Sequence, residues 1–242
     1  MVLILTATVH PADGVFGLTV SDAAERCRQY KEALQYYIEN IPGIDIVFCD
    51  NSDMDISQFD DMIKLSLENN CRLEILSFKG DVQETLKKGK GYGESEIITY
   101  ALRHSKLVKE DKDKFFVKVT GRLILTNLAK MMPRFNNFII YINTSIDGYK
   151  RTIADTRAFA MNADYYSMLF ETAGRHVDDQ NGLFLEKIYY DTIRKYTMPT
   201  RNMPYYPRII GVSGSSGYQY TYKEWKCRIK DLLSRFNHYG IR

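Results

Sequence analysis

Gly89-Lys90-Gly91-Tyr92-Gly93-Glu94-Ser95-Glu96-Ile97-Ile98 carries three glycines at alternate positions, a spacing that suits neither a helix interior nor a packed strand. Each is free to take positive φ, so the backbone can turn tightly and approach a ligand. Ile97, Ile98, Ala101 and Leu102 then recur at helical spacing. The pattern predicts a glycine loop running into a helix start, where free N–H groups and the helix dipole favour an anion. Lys87, Lys88 and Lys90 add positive charge there. Glu94 and Glu96 suit a first helical turn or accept sugar hydroxyls. Gly91, Tyr92 and Glu94 therefore join Lys90 as candidate binding residues. An ordinary capped helix behind a glycine-rich connection explains the same letters.

Upstream of this stretch, three short apolar runs read as strands. Residues 2–7 form the first, and its unbroken apolar run suits a parallel strand in a sheet interior. Ligands of open α/β sheets bind beyond the carboxyl ends of strands, which makes Thr6, Thr8 and His10 candidates for holding a nucleotide. A helix is expected from Ser21-Asp22-Ala23 to about Asn40, with Arg26 and Tyr30 one turn apart on one surface. Residues 44–49 are the second strand. Asp50 and Asn51 at its end either recognise a base or ribose or belong to an Asx-turn and helix cap. A helix spans 59–67, and residues 73–78 are the third strand.

Downstream, residues 115–120 are the fourth strand, ended by Gly121-Arg122. Lys118, Thr120 and Arg122 stand where phosphate or carboxylate would be held, or form a salt-bridged strand end. Residues 138–142 and 152–161 are the fifth and sixth strands, the latter with Asp155 and Arg157 on one face. Asp155 is open to three roles: metal ligand, substrate ligand, or partner of Arg157 or Arg122. From 165 to 196 the pattern is helical, and Glu186 on an otherwise apolar face is an acid/base candidate. Pro199, Pro204 and Pro207 mark a loop. Ser213 and Ser215 sit in a Gly-Ser-rich segment suited to wrapping phosphate or to acting as a lid. The final helix begins near Lys223. Its stripe of Trp225, Ile229, Leu232, Leu233 and Phe236 is bordered by Lys223, Lys226, Arg228, Lys230 and Arg235. It is expected to pack on its own domain, with an anionic membrane surface as the alternative.

At 242 residues the chain suits one large domain, read here as a core over 1–196 and a C-terminal loop and helix over 197–242. No apolar run reaches the roughly 20 residues that span a bilayer. The first residues read as a strand, without the basic start of a signal peptide. Four scattered cysteines, Cys27, Cys49, Cys71 and Cys227, suggest free thiols and a cytoplasmic setting. The net charge of +3 is too small to argue for nucleic acid.

Strands alternating with helices point to an α/β fold with a mainly parallel sheet. The order of Leu5-Thr6-Ala7-Thr8, Asp50-Asn51-Ser52, the glycine stretch, Lys118-Val119-Thr120-Gly121-Arg122 and Asp155-Thr156-Arg157 resembles bacterial glycosyltransferases of the GT-A type that build O-antigen, lipooligosaccharide or capsule. The resemblance covers most of residues 1–190. It implies a Rossmann-like sheet, a UDP-, GDP- or CMP-linked sugar donor, and a glycan or lipid-linked acceptor. It also implies a cytoplasmic enzyme that works at the inner face of the cytoplasmic membrane or free of it. Many such enzymes carry an Asp-x-Asp that binds a divalent metal, and none ends a predicted sheet strand here. Either Lys118, Arg122 and the glycine loop meet the diphosphate without metal, the preferred reading, or Asp155 is a lone ligand for Mg²⁺ or Mn²⁺. For an inverting transfer the base candidates are Glu186, Asp178 and Asp179. Two alternatives stand beside this: a sugar nucleotidyltransferase, and a non-catalytic sugar- or nucleotide-binding protein.

Overall fold

The computed structural model describes residues 1–148, 150–214 and 216–236, the last four of these as backbone only. β1 (Val2–Ala7) is buried along its whole length. Leu3, Leu5 and Ala7 belong to one core, Val2 and Ile4 to another. The strand is thus covered on both faces, which explains its unbroken apolar run. Each large apolar side chain so buried contributes about 1.5–3 kcal/mol. α1 (Ala23–Asn40) covers one face. Asp22 caps it by accepting from the Glu25 N–H, and Tyr30, Leu34, Tyr37 and Ile38 enter the core.

β2 (Asp45–Asp50) and β3 (Arg72–Ser77) extend the sheet in parallel beyond β1, with α2 (Asp60–Glu68) between them in sequence. α3 (Val82–Lys88) and α4 (Lys90–His104) follow, and α4 sends Ile97, Ile98, Ala101 and Leu102 into the second core. The expected glycine loop is therefore corrected. Only Gly89, at φ 97°, lies between helices, while Gly91 and Gly93 are inside the first turns of α4. They forgo helix propensity for close packing. A Cβ on Gly89 would lie 2.6 Å from Asp179, and one on Gly91 2.9 Å from it.

After α5 (Lys106–Glu110), β4 (Phe115–Thr120) pairs in parallel on the other side of β1. β5 (Leu123–Leu125) and α6 (Leu128–Met131) lead to β6 (Ile140–Ile146) and β7 (Thr152–Asn162). β7 runs antiparallel to both β4 and β6. The helical tract expected over 165–196 is divided. It comprises α7 (Ala163–Tyr165), a π-helical turn at Tyr166–Phe170, α8 (Glu171–Gly174), and then α9 (Leu185–Tyr196) beyond a turn. With β8 (Thr200–Arg201) the order is β3-β2-β1-β4-β7-β6-β8. This is an α/β, Rossmann-like architecture: a mostly parallel seven-stranded sheet flanked by helices.

β9 (Ile209–Val212) and β10 (Gln219–Tyr220) join β5 in a small antiparallel sheet that the Gly-Ser-rich pattern does not disclose. The chain's last described element is α10 (Glu224–Phe236). Its apolar stripe is expected to pack inward, yet Trp225, Ile229 and Leu232 are exposed. The helix is held instead by ion pairs, because buried Arg208 binds both Glu224 and Asp231. The Leu233, Arg235 and Phe236 side chains lie outside the described residues. Among the described residues no helix is long and apolar enough to cross a membrane.

Candidate functional site

β1, β2 and β3 proceed to one side and β4 then crosses to the other, so the strand order reverses between β1 and β4. In open α/β sheets the crevice outside the carboxyl ends at this reversal is where ligands bind. A cavity of about 690 Å³ opens there. Thr6, Thr8, His10, Asn51, Lys90, Glu94, Thr120, Arg122, Asp155, Arg157, Glu186 and Ser213 all line it. Residues scattered over the sequence are thus brought to one place by the sheet topology. Ser215 lies outside the described residues.

The floor is set by polar contacts. The Thr8 hydroxyl donates to Asn51 Oδ1 at 2.6 Å. The His10 N–H donates to Ser52 Oγ at 2.9 Å. Behind them Asp50 is fully buried. It accepts from the Val9 N–H at 2.6 Å and from the Ser52 N–H and hydroxyl at 2.7 Å. Asp50 does not line the cavity; burial raises its pKa, and its bonds tie the loop after β1 to the end of β2. The Asx-turn reading thus describes its contacts.

One end of the cavity is cationic. Arg26 from α1 and Arg122 from the turn after β4 are both buried and both lie against the Tyr30 ring, at 5.7 and 5.8 Å. Arg26 donates to the carbonyls of Thr8 and Val20 and to the Tyr30 hydroxyl. Arg122 donates to Gln29 Oε1 at 3.1 Å, and its Nε is buried without a hydrogen-bond partner. Among the described residues neither arginine makes a carboxylate salt bridge. Burial first, and the Arg26 charge next among the lowering causes, depress the Arg122 pKa. Buried charges are ordinarily paired, so this end calls for an anion. Gly214 makes room for the guanidinium, since a Cβ there would overlap an Arg122 nitrogen. The Thr19 N–H donates to the Gly214 carbonyl and closes the loop after β1 over this end.

The lining also carries the carboxylates of Glu94 and Glu186, together with Lys90. Glu186, from the first turn of α9, lies half-buried and accepts from the Thr156 hydroxyl at 3.2 Å. Burial raises its pKa, with the Glu94 charge adding to the effect. Glu94 is held by Lys118. That ammonium is fully buried and also donates to the Thr120 hydroxyl at 3.0 Å and the Thr156 carbonyl at 2.6 Å. All three of its donors are engaged, so Lys118 orients Glu94 rather than facing a ligand.

Several further candidates are placed differently from expectation. Asp179 is 4% exposed, does not line the cavity and accepts from the Gly91 N–H at 2.9 Å. The start of α4 is thus met by the protein's own carboxylate, which accounts for the close-packed glycines. Tyr92 packs under Lys88, 4.7 Å from its ring centroid, and neither Tyr92 nor Gly91 lines the cavity. Asp178 caps the turn at Asn181. Asp155 is gripped by Arg157 through bonds of 2.8 and 2.7 Å, one to each oxygen, and Arg157 stacks on Tyr220 at 4.9 Å. Both Asp155 oxygens accept from the Arg157 guanidinium. Asp155 thus takes the third of its three expected roles, as the partner of Arg157.

The sequence marks Arg26 and Tyr30 as neighbours without placing them in the site. The available signal is a cation on a helix face otherwise carrying Ala33, Leu34 and Tyr37. Tyr220 and Thr156 give no sign of their place, because strand ends distant in sequence meet only through the small sheet and β7.

No family model and no curated protein matches the sequence. Among solved structures, the glycosyltransferase GlyE of Streptococcus pneumoniae TIGR4 aligns over 82% of this chain and 44% of its own, with TM-score 0.53 and 9% identity. Its apo form aligns over 84% and 45%, with TM-score 0.52 and 9% identity. The chain therefore spans less than half the length of these structures. A 4-diphosphocytidyl-2C-methyl-D-erythritol synthase from Anaerococcus prevotii DSM 20548 aligns over 96% of this chain and 95% of its own at TM-score 0.38 and 8% identity, too distant to carry an argument. At such identities what this chain shares with GlyE is the fold, and that Rossmann-like α/β fold is what the likeness establishes.

Proposed function

We propose that the chain is a glycosyltransferase that takes a nucleotide sugar and passes its sugar to a glycan or lipid-linked acceptor of bacterial surface polysaccharide. The observation that carries this is the cavity's polarity. Two buried arginines without carboxylate salt bridges line it, and so does Glu186, a carboxylate of raised pKa. Thr6, Thr8 and Asn51 would bind the nucleoside. Arg26, Arg122 and Ser213 would bind its phosphates, supplying the charge that a leaving nucleotide needs. Because Asp155 is committed to Arg157, no step is assigned to a protein-bound metal.

In this reading the Glu186 carboxylate takes the proton of the acceptor hydroxyl. The acceptor oxygen attacks the anomeric carbon, the carbon–oxygen bond to phosphate breaks, and the leaving nucleotide keeps the electron pair. The transition state is oxocarbenium-like, and the configuration inverts. The test is nucleotide release from a panel of UDP-, GDP- and CMP-sugars, with and without bacterial glycan acceptors. One donor should turn over, and Glu186→Gln should lower kcat by about 100-fold or more with donor KM little changed. Release of pyrophosphate from a nucleoside triphosphate and a sugar phosphate would instead identify a nucleotidyltransferase.

A further inference from the structure

α10 is built inside out. Among its described side chains, acids bind it to the domain: Glu224 and Asp231 share the buried Arg208. Asp231 also accepts from the Tyr206 N–H at 2.6 Å. Apart from Cys227, 2% exposed, its described apolar side chains face outward: Trp225, Ile229 and Leu232 are 60%, 50% and 55% exposed. Their spacing of four and three residues places them on one stripe. Lys226 and Arg228 are exposed on the same helix and Lys223 just before it, while Lys230 lies over the Tyr206 ring at 3.9 Å. Both acids are engaged by Arg208, and Glu224 also meets Arg228 at 3.4 Å, so the outward surface has an excess of positive charge.

We propose that this face of α10 docks on an anionic phospholipid surface. The apolar stripe would enter the headgroup boundary while the lysines and the arginine meet lipid phosphates. A second copy of the chain is disfavoured as occupant, because two such faces would bring like charges together. The inference does not rest on the transferase reading.

Trp225 is the single tryptophan of the chain, so its emission reports the stripe directly. The 242-residue chain would be titrated with vesicles of phosphatidylglycerol and phosphatidylcholine, and with phosphatidylcholine alone. Trp225 emission should shift to the blue, and protein should float, only with anionic vesicles. Lys223→Gln with Lys226→Gln should weaken partitioning about fivefold per removed cation. Ile229→Ser with Leu232→Ser should abolish the blue shift while far-ultraviolet circular dichroism and Tm stay unchanged, which separates loss of docking from loss of fold. Equal binding to both vesicle types, or no shift at low salt, would overturn the proposal. So would a concentration-dependent shift without lipid, which would assign the face to self-association.

Discussion

At Arg122 the proposed binding role and stability pull in opposite directions. Its guanidinium is buried, one nitrogen lacks a partner, and burial depresses its pKa. Replacing a buried unpaired charge by an apolar side chain of similar volume is often neutral or stabilising. Arg122→Met relieves that charge but takes the donor from the buried Gln29 Oε1, so the two effects should largely offset and unfolding free energy should fall by no more than about 1–3 kcal/mol in urea melts. The same change should weaken nucleotide binding at least tenfold by calorimetry, as expected for a lost charge-assisted contact of roughly 1.5–3 kcal/mol. At Glu186 the raised pKa gives a signed pH effect. A base works when deprotonated, so kcat should rise with pH along a limb lying above the usual carboxylate range, and Glu186→Gln should remove that limb. The letters single out both residues, Arg122 as an anion holder and Glu186 as an acid/base candidate, but their burial and their partners far away in sequence emerge only in the fold.

At the scale of elements, the contact between Asp179 and the start of α4 is the most consequential. Burial pushes the Asp179 carboxyl from 3.8 up to about 6, against the opposing Gly91 N–H bond. A folded-state pKa above the unfolded one means that folding favours the protonated acid. The associated stability is full below about pH 4 and is lost as pH rises through 6. A tenfold change in proton affinity is worth about 1.4 kcal/mol, so the loss is on the order of 2–3 kcal/mol. Asp179→Asn keeps an acceptor for Gly91 and carries no charge, so its stability should be flatter over that window in pH-dependent melts. Gly89→Ala should cost roughly 4 kcal/mol, because its backbone region belongs to glycine and the new Cβ would meet Asp179. In an Asp179→Gly background, which removes the Cβ 2.6 Å away as well as the carboxyl, about half of that loss should vanish. The glycines are legible as a site of close approach, but what approaches them is not. Nothing local to Gly91 points to a carboxylate 88 residues away.

At the scale of the molecule, the first four parallel strands follow from their apolar runs, and residues 115–120 coincide with β4. A strand buried on both faces needs such a run, so the pattern is dictated by the layers that cover it. The small sheet of β5, β9 and β10 leaves no comparable trace, since its strands are only two to four residues long and one carries glycine. The gathering of Thr8, Asn51, Thr120 and Arg122 follows from strand order. Which of the lining charges are paired and which are not depends on side-chain partners that strand order does not fix. The central claim is that this cavity holds a nucleotide through Arg26 and Arg122. The most direct measurement is thermal melting of the parent and of Arg122→Met with UDP, GDP, CMP and ADP, each in EDTA and in Mn²⁺. A ligand bound only to the native state raises Tm by mass action. The account predicts that one nucleotide raises the parent's Tm, in EDTA as well as in Mn²⁺, and that Arg122→Met loses most of the rise. No rise with any nucleotide, or an equal rise in both proteins, would contradict it.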